Sequence, residues 1–307
     1  MRTSPWFWIG FHALIFGVLA LDLGVFHRRA RVVRAREAAI WTAVWVALAL
    51  GFAGVIAVVE GTPSMLTFLT GYVIEESLSI DNIFVIVLVF GYFRIPAEYQ
   101  HWVLFWGVLG ALAMRGAAIA TGGFILGRFT WATYIFGAIV LATAVRLLVR
   151  RDEGFAGVRG PVLRALQRVL PVSATLDGQR FLTREPTTGR RVATPLLFSL
   201  LMVELMDVLF AVDSIPAIFA ITRDTFLIYT SNIFAVVGLR SLYFLLTDAV
   251  RRFRYLRVGL AVVLTFVGLK MILAGVIEVP TVISLAVVAT VMSISIGVSV
   301  ARTEGGA

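Results

Sequence analysis

Nine long apolar stretches dominate the chain, at residues 5–26, 39–59, 64–93, 101–127, 131–149, 194–221, 226–249, 256–277 and 280–300. Each is long enough for the roughly 20 residues, range about 17–25, that an α-helix needs to cross a bilayer. In hydrocarbon every backbone N–H and C=O must be paired within its own segment, so such stretches can only be helices. The composition agrees, with 60% hydrophobic and 15% charged residues, where a soluble domain carries about 25% charge. The pattern predicts an all-α polytopic membrane protein of about nine transmembrane helices. It excludes a disordered, fibrous or ordinary cytosolic chain. The first stretch does not read as a signal peptide, because one Arg leads it, no A-x-A site closes it and a basic cluster follows.

Basic residues orient the spans. With the N-terminus outside and the C-terminus inside, 20 of the 27 Lys and Arg fall in cytoplasmic segments, 3 outside, and four (Arg115, Arg146, Arg240 and Lys270) within spans. That asymmetry is the positive-inside bias. The net charge of +9 therefore reports orientation, and no nucleic-acid partner is expected. The loop at 150–193 is basic and reads as a cytoplasmic linker that touches anionic headgroups, with a short amphipathic helix over Val162–Val169. Docking of a cytoplasmic protein partner is its other reading. Trp6, Trp8, Trp41, Trp45, Trp102 and Trp131 lie near span ends, as an interfacial belt does.

Acids inside the spans are the informative feature. Asp22, Glu75, Glu76, Asp81, Glu204, Asp207 and Asp213 all lie there. Insertion scales set about 2.5–3.5 kcal/mol for an Asp at a helix centre, on the order of 20 kcal/mol for seven if unpaired. Acids at that density mark an ion or proton pathway. They also repeat. Setting Asp81 on Asp213 sets Glu75 on Asp207; the next spans then offer Met114-Arg115-Gly116 against Leu239-Arg240-Ser241, and the following ones Arg146 against Lys270. Spans 3–5 (64–149) and 6–8 (194–277) thus read as two copies of a three-helix unit around the 150–193 loop. Three spans per copy invert the second, a transporter design with its site at the midplane. At 3.6 residues per turn, Asp207 and Asp213 point about 120° apart and Glu204 and Asp213 about 180° apart. Either these helices are interrupted, helped by Gly71 and Pro216, or they sit in an interior with several polar faces. Interruption is the favoured expectation.

The predicted metal site comprises Glu75, Glu76, Asp81, Asn82, Glu204, Asp207, Asp213 and Ser214. Carboxylate, amide and hydroxyl oxygens without Cys suit Mn²⁺, Ca²⁺ or Mg²⁺ as a transported ion, with no tightly bound cofactor expected. Ser77 and Ser79 add oxygens nearby. Met202 and Met206 would favour Mn²⁺, though Met in an apolar helix more often packs. Asp22 either joins the site or pairs with the basic cluster after it. Arg115, Arg240 and Lys270 are expected to counter the carboxylates when no ion is bound. The same carboxylates can carry protons.

Glu75-Glu76-Ser77-Leu78-Ser79-Ile80-Asp81-Asn82, Glu204 to Ser214, Asp22-Leu23, Met114-Arg115-Gly116 and Gly268-Leu269-Lys270 resemble the TerC/Alx family, over most of the chain. The resemblance implies a bacterial inner-membrane protein linked to manganese efflux, with an association to tellurite resistance. It carries over Glu75, Glu76, Asp81, Asn82, Glu204, Asp207 and Asp213 as functional residues. Glu76 departs from the repeat, because Val208 stands opposite it. The expected function is divalent-cation export, most readily of Mn²⁺ and coupled to protons or the membrane potential. The alternative is a membrane scaffold in a stress-resistance complex. No nucleophile, cofactor motif or P-loop accompanies the carboxylates, so an enzyme is not expected.

Overall fold

The computed structural model describes residues 5–21, 33–129, 131–149, 173, 176–184, 190–246, 256–273 and 279–304. Within them the apolar stretches form nine helices: α1 (Pro5–Leu21), α2 (Ala35–Glu60), α3 (Thr62–Tyr92), α4 (Ala97–Arg128), α5 (Ala132–Val149), α6 (Pro195–Phe219), α7 (Thr225–Leu246), α8 (Leu256–Ile272) and α9 (Thr281–Glu304). The chain is an all-α polytopic membrane protein. By length and composition α2, α4, α6 and α7 suffice to cross a bilayer, and shorter apolar segments lie in α1, α5, α8 and α9. Although α3 has 31 residues, Glu75, Glu76 and Asp81 interrupt its apolar run.

Local chemistry sets the breaks. Between α2 and α3 the chain turns at Gly61, whose φ of 91° lies in the left-handed region that glycine tolerates. Its N–H donates to the Ala57 carbonyl at 3.1 Å, and Pro63 follows in the first turn of α3, where a missing N–H costs nothing. Thr194 caps α6, its side chain accepting from the Leu197 N–H.

Helix α7 lies at the centre, with every residue from Phe226 to Ser241 buried. It packs on α2, α3 and α4. Helix α3 packs mainly on α7, α4 on α6, and α5 on α8; α9 covers α3 and α8. At the α5–α8 crossing, Gly137 and Gly268 face one another, and a Cβ on either would stand 3.2–3.3 Å from the other's carbonyl oxygen. Small residues at such a crossing let two helices approach where lipid supplies no hydrophobic driving force. The apolar interior divides into three clusters.

Three expectations need correction. Helices α3 and α6 run unbroken through their acids. Pro216 lies inside α6 three residues before its end at Phe219, and the helix continues through it. Gly71 does not bend α3; it admits Ser231 of α7, whose Oγ would lie 2.8 Å from a Cβ there. Of the acids whose side chains are described, Glu75 and Asp207 both meet Arg115 of α4. Third, Trp45 is not interfacial: it is 2% exposed and packs in the core. Trp6 and Trp131 are exposed, as a belt requires.

The later part of the 150–193 loop is folded. Leu182–Arg184 (β1) and Arg191–Ala193 (β2) form an antiparallel hairpin. Phe181 stacks on Trp102 at 6.4 Å and meets the edge of Trp106. Leu176 and Phe181 pack on the cluster formed by α3, α4, α6 and α7. Val162–Val169 lies outside the described residues.

Candidate functional site

Arg115 lies just past the middle of α4 and is 1% exposed. Its guanidinium serves three other helices at once. Nη1 pairs with Glu75 of α3 and donates to Asn232 Oδ1 of α7 at 3.1 Å. Nη2 donates to Asp207 Oδ1 of α6 at 2.7 Å, and Nε donates to both Asp207 oxygens at 3.0 and 3.2 Å. This forked contact is geometry that Arg supplies and Lys cannot. Glu75 and Asp207 occupy corresponding positions of the two acidic segments, so one buried cation joins them. Glu75 is fully buried, and its Oε2 has no hydrogen-bond partner among the described residues.

A cavity of about 30 Å³ adjoins the pair. Asn82, Glu204, Asp207 and Arg240 supply its polar wall, and α4 supplies an apolar one through Leu104, Val108 and Ala111. A single water needs roughly 10–15 Å³ by the same measure, so the space admits a small ion with little of its hydration shell. Asn82 Oδ1 and Glu204 Oε2 have no hydrogen-bond partner among the described residues. The Glu204 carboxylate lies against Gly110 of α4, where any Cβ would overlap it.

The predicted residues do not all meet. Glu75, Asp207 and Arg115 are in contact, and Asn82, Glu204 and Arg240 share the cavity with Asp207. Glu76 follows Glu75, with its Oε2 buried and unpartnered among the described residues, as is the Ser214 hydroxyl. Ser77 bonds its own helix, donating to the Val73 carbonyl at 2.6 Å. Met206 lines the cavity, and Met202 packs beside it in the core. Lys270 is directed elsewhere: its Nζ donates to Ser284 of α9 at 2.9 Å. Asp22 lies outside the described residues, as do the side chains of Asp81 on α3 and Asp213 on α6. Among the described residues no three Asp, Glu or His side chains converge into a ready coordination shell; Arg115 stands between Glu75 and Asp207.

Two features escaped the sequence reading. Asn232 completes the Arg115 contacts, and its signal was the polar run Tyr229-Thr230-Ser231-Asn232 inside an apolar span. His12 of α1 bonds the Trp8 carbonyl through Nδ1 at 2.8 Å and Tyr229 Oη through Nε2 at 3.0 Å. A carbonyl only accepts, so Nδ1 carries the proton and, in neutral His12, the Tyr229 hydroxyl donates to Nε2. Tyr229 reaches Gly116, the neighbour of Arg115, where a Cβ would stand 3.2 Å from its ring. Nothing in the spacing of the sequence linked His12 to Tyr229.

Comparison with known proteins finds relatives over most of the chain. The model of the integral membrane protein TerC family matches residues 60–305. A Myxococcus xanthus protein described as an uncharacterized membrane protein is 49% identical over 301 residues, covering 98% of this chain and 94% of its own. A protein of Escherichia coli (strain K12) described as a putative membrane-bound redox modulator, Alx, is 44% identical over 295 residues, covering 93% and 91%. A Rickettsia bellii membrane protein is 38% identical over 296 residues, covering 96% and 97%. No solved structure matches.

Proposed function

Because the chain belongs to the TerC family of integral membrane proteins, we propose that it exports a divalent metal cation, with Mn²⁺ the best-matched cargo, across a bacterial inner membrane. The observation that carries this reading is one buried arginine holding two carboxylates from different helices beside an ion-sized cavity. Among the described side chains, Glu75, Glu204 and Asp207 gather around Arg115 and Arg240, a formal charge of −1 that an arriving cation or a proton would offset. A cation that takes Glu75 and Asp207 must displace the guanidinium, so the cation and Arg115 compete for the same oxygens. A proton on either carboxylate weakens the same contacts, which is how protons would be exchanged for metal. Oxygen donors without Cys favour a hard cation, and the buried Met206 beside them tilts the choice toward Mn²⁺.

The inverted-repeat reading is supported by the packing partners. If α3–α5 and α6–α8 are copies, the α3–α7 and α4–α6 pairs exchange under the repeat, and the α5–α8 pair maps onto itself. The excess of cytoplasmic Arg supports an outside N-terminus. Relatives described as redox modulators suggest a second role. The chain has no Cys, so it cannot exchange thiols for disulfides, and an influence on redox state would run through the ion it moves. An anionic tellurite would meet these carboxylates as like charge, so this site offers tellurite no binding chemistry.

The test is Mn²⁺ flux in proteoliposomes holding the full chain. Glu75→Gln and Asp207→Asn should each abolish it, and full activity in both would overturn the site. Deleting part of the 150–193 loop distinguishes the scaffold: lost resistance in cells with intact flux would favour that role over export.

A further inference from the structure

The hairpin carries an electrostatic conflict that no described residue resolves. In its register Arg184 is paired directly with Arg191, and Leu182 with Ala193. Alternation along a strand puts Leu182, Arg184 and Arg191 on one face, opposite Val192, which is buried. Like charges directly across a ladder repel and destabilise a pair of strands. Both arginines are exposed, and neither makes a hydrogen bond or ion pair with a described residue. Arg180, also exposed, adds a third positive charge, only loosely met by Asp177 at 3.5 Å. Together with Leu182 and Thr183 these residues line a cleft of about 530 Å³.

The hairpin has a fixed position. Phe181, just before β1, packs on Trp102 and Trp106 in the early turns of α4, and Thr194, just after β2, caps α6. It therefore sits at the end of the bundle where α4 and α6 begin, the end that the arginine bias assigns to the cytoplasm. Trp106 and Leu182 remain exposed at that level. An apolar side chain flanked by Arg184 and Arg191, which no described residue neutralises, beside an aromatic belt, matches a molecule with both an anionic head and an apolar tail.

We propose that Arg184, Arg191 and Arg180, with Leu182, form a binding site for the phosphate headgroup of an anionic phospholipid in the cytoplasmic leaflet. Arginine takes a phosphate in a forked contact, and the lipid anion relieves the Arg184–Arg191 repulsion. A free phosphate would satisfy the arginines but not Leu182. The proposal is independent of which cation the protein carries.

The test uses the full-length protein, delipidated and returned to micelles containing phosphatidylglycerol or phosphatidylcholine, with retained lipid counted by native mass spectrometry. The unaltered protein should retain phosphatidylglycerol selectively. Arg184→Gln with Arg191→Gln should weaken retention roughly thirtyfold, from about fivefold for each basic residue near an anionic surface. The pair Arg128→Gln and Arg223→Gln, exposed sites where α4 and α6 end rather than begin, removes the same charge and should leave retention unchanged. An unchanged melting transition in phosphatidylcholine confirms that the Gln pair still folds. Should that pair not fold, Leu182→Gln with both arginines intact should give a smaller but measurable loss. Equal retention by the unaltered protein and the hairpin variants would overturn the proposal. So would equal loss in the control pair, or displacement of the lipid by millimolar inorganic phosphate, which would reassign the cleft to a free anion.

Discussion

Replacing Arg115 by Met removes the one cation that joins Glu75 to Asp207 while keeping a long side chain in the space. Three groups lose a partner: Glu75, which is 0% exposed, Asp207, which is 12% exposed, and the Asn232 carbonyl. Deleting one member of a buried ion pair costs about 3–5 kcal/mol, because the remaining charge is left uncompensated. A charge left behind, rather than lost packing, should be the cause, and a double-mutant cycle separates the two. Glu75→Gln alone leaves Arg115 with Asp207 and Asn232, so its cost should be smaller, on the order of 1–3 kcal/mol. In the Arg115→Met background the same change removes the stranded charge and should recover part of the loss. The coupling should approach the upper end of the 0.5–3 kcal/mol seen for residues in one network. Reversible unfolding in mixed micelles, read by circular dichroism, measures all four proteins. Additivity within about 0.5 kcal/mol would refute the view that Arg115 is held by buried charge.

Other outcomes follow from single contacts. Gly110→Ala should cut metal flux sharply, because its Cβ takes the space of the Glu204 carboxylate; normal flux in proteoliposomes would separate Glu204 from the pathway. Gly71→Ala should lower the melting temperature, and adding Ser231→Gly should restore it by reopening the α3–α7 contact; a pair no better than the single change would show that the close approach is not the cause. Trp102→Ala removes the ring on which Phe181 stacks, so trypsin should cleave at Arg184 and Arg191 several-fold faster. An unchanged cleavage rate would mean that the hairpin is held by other contacts.

Much of the membrane architecture was legible in the sequence because hydrocarbon leaves few solutions. A 20-residue apolar stretch must be a helix, and each of the nine stretches contains one. The acids were legible for the same reason: Glu75 and Asp207 stand out because charge in a bilayer is costly enough to need a purpose. Residues of ordinary polarity carried no such mark. Asn232 and Ser77 look alike in the sequence, yet Asn232 accepts from Arg115 while Ser77 bonds its own backbone. Lys270 and Arg115 look equally suited to balance the acids, but packing turns Lys270 toward Ser284.

Helical periodicity makes the acids diverge around their helices, but it does not say what answers them. A lone helix would have to break to aim Glu204, Asp207 and Asp213 at one point. In the bundle, α4 brings Arg115 to Glu75 and Asp207, and α7 brings Asn232 to Arg115. Composition and periodicity therefore determined the helical class and which segments are apolar, because the bilayer penalises each residue separately. Tertiary structure alone decided which charges meet, because a contact such as Arg115 to Glu75 depends on the crossing of helices forty residues apart in the chain.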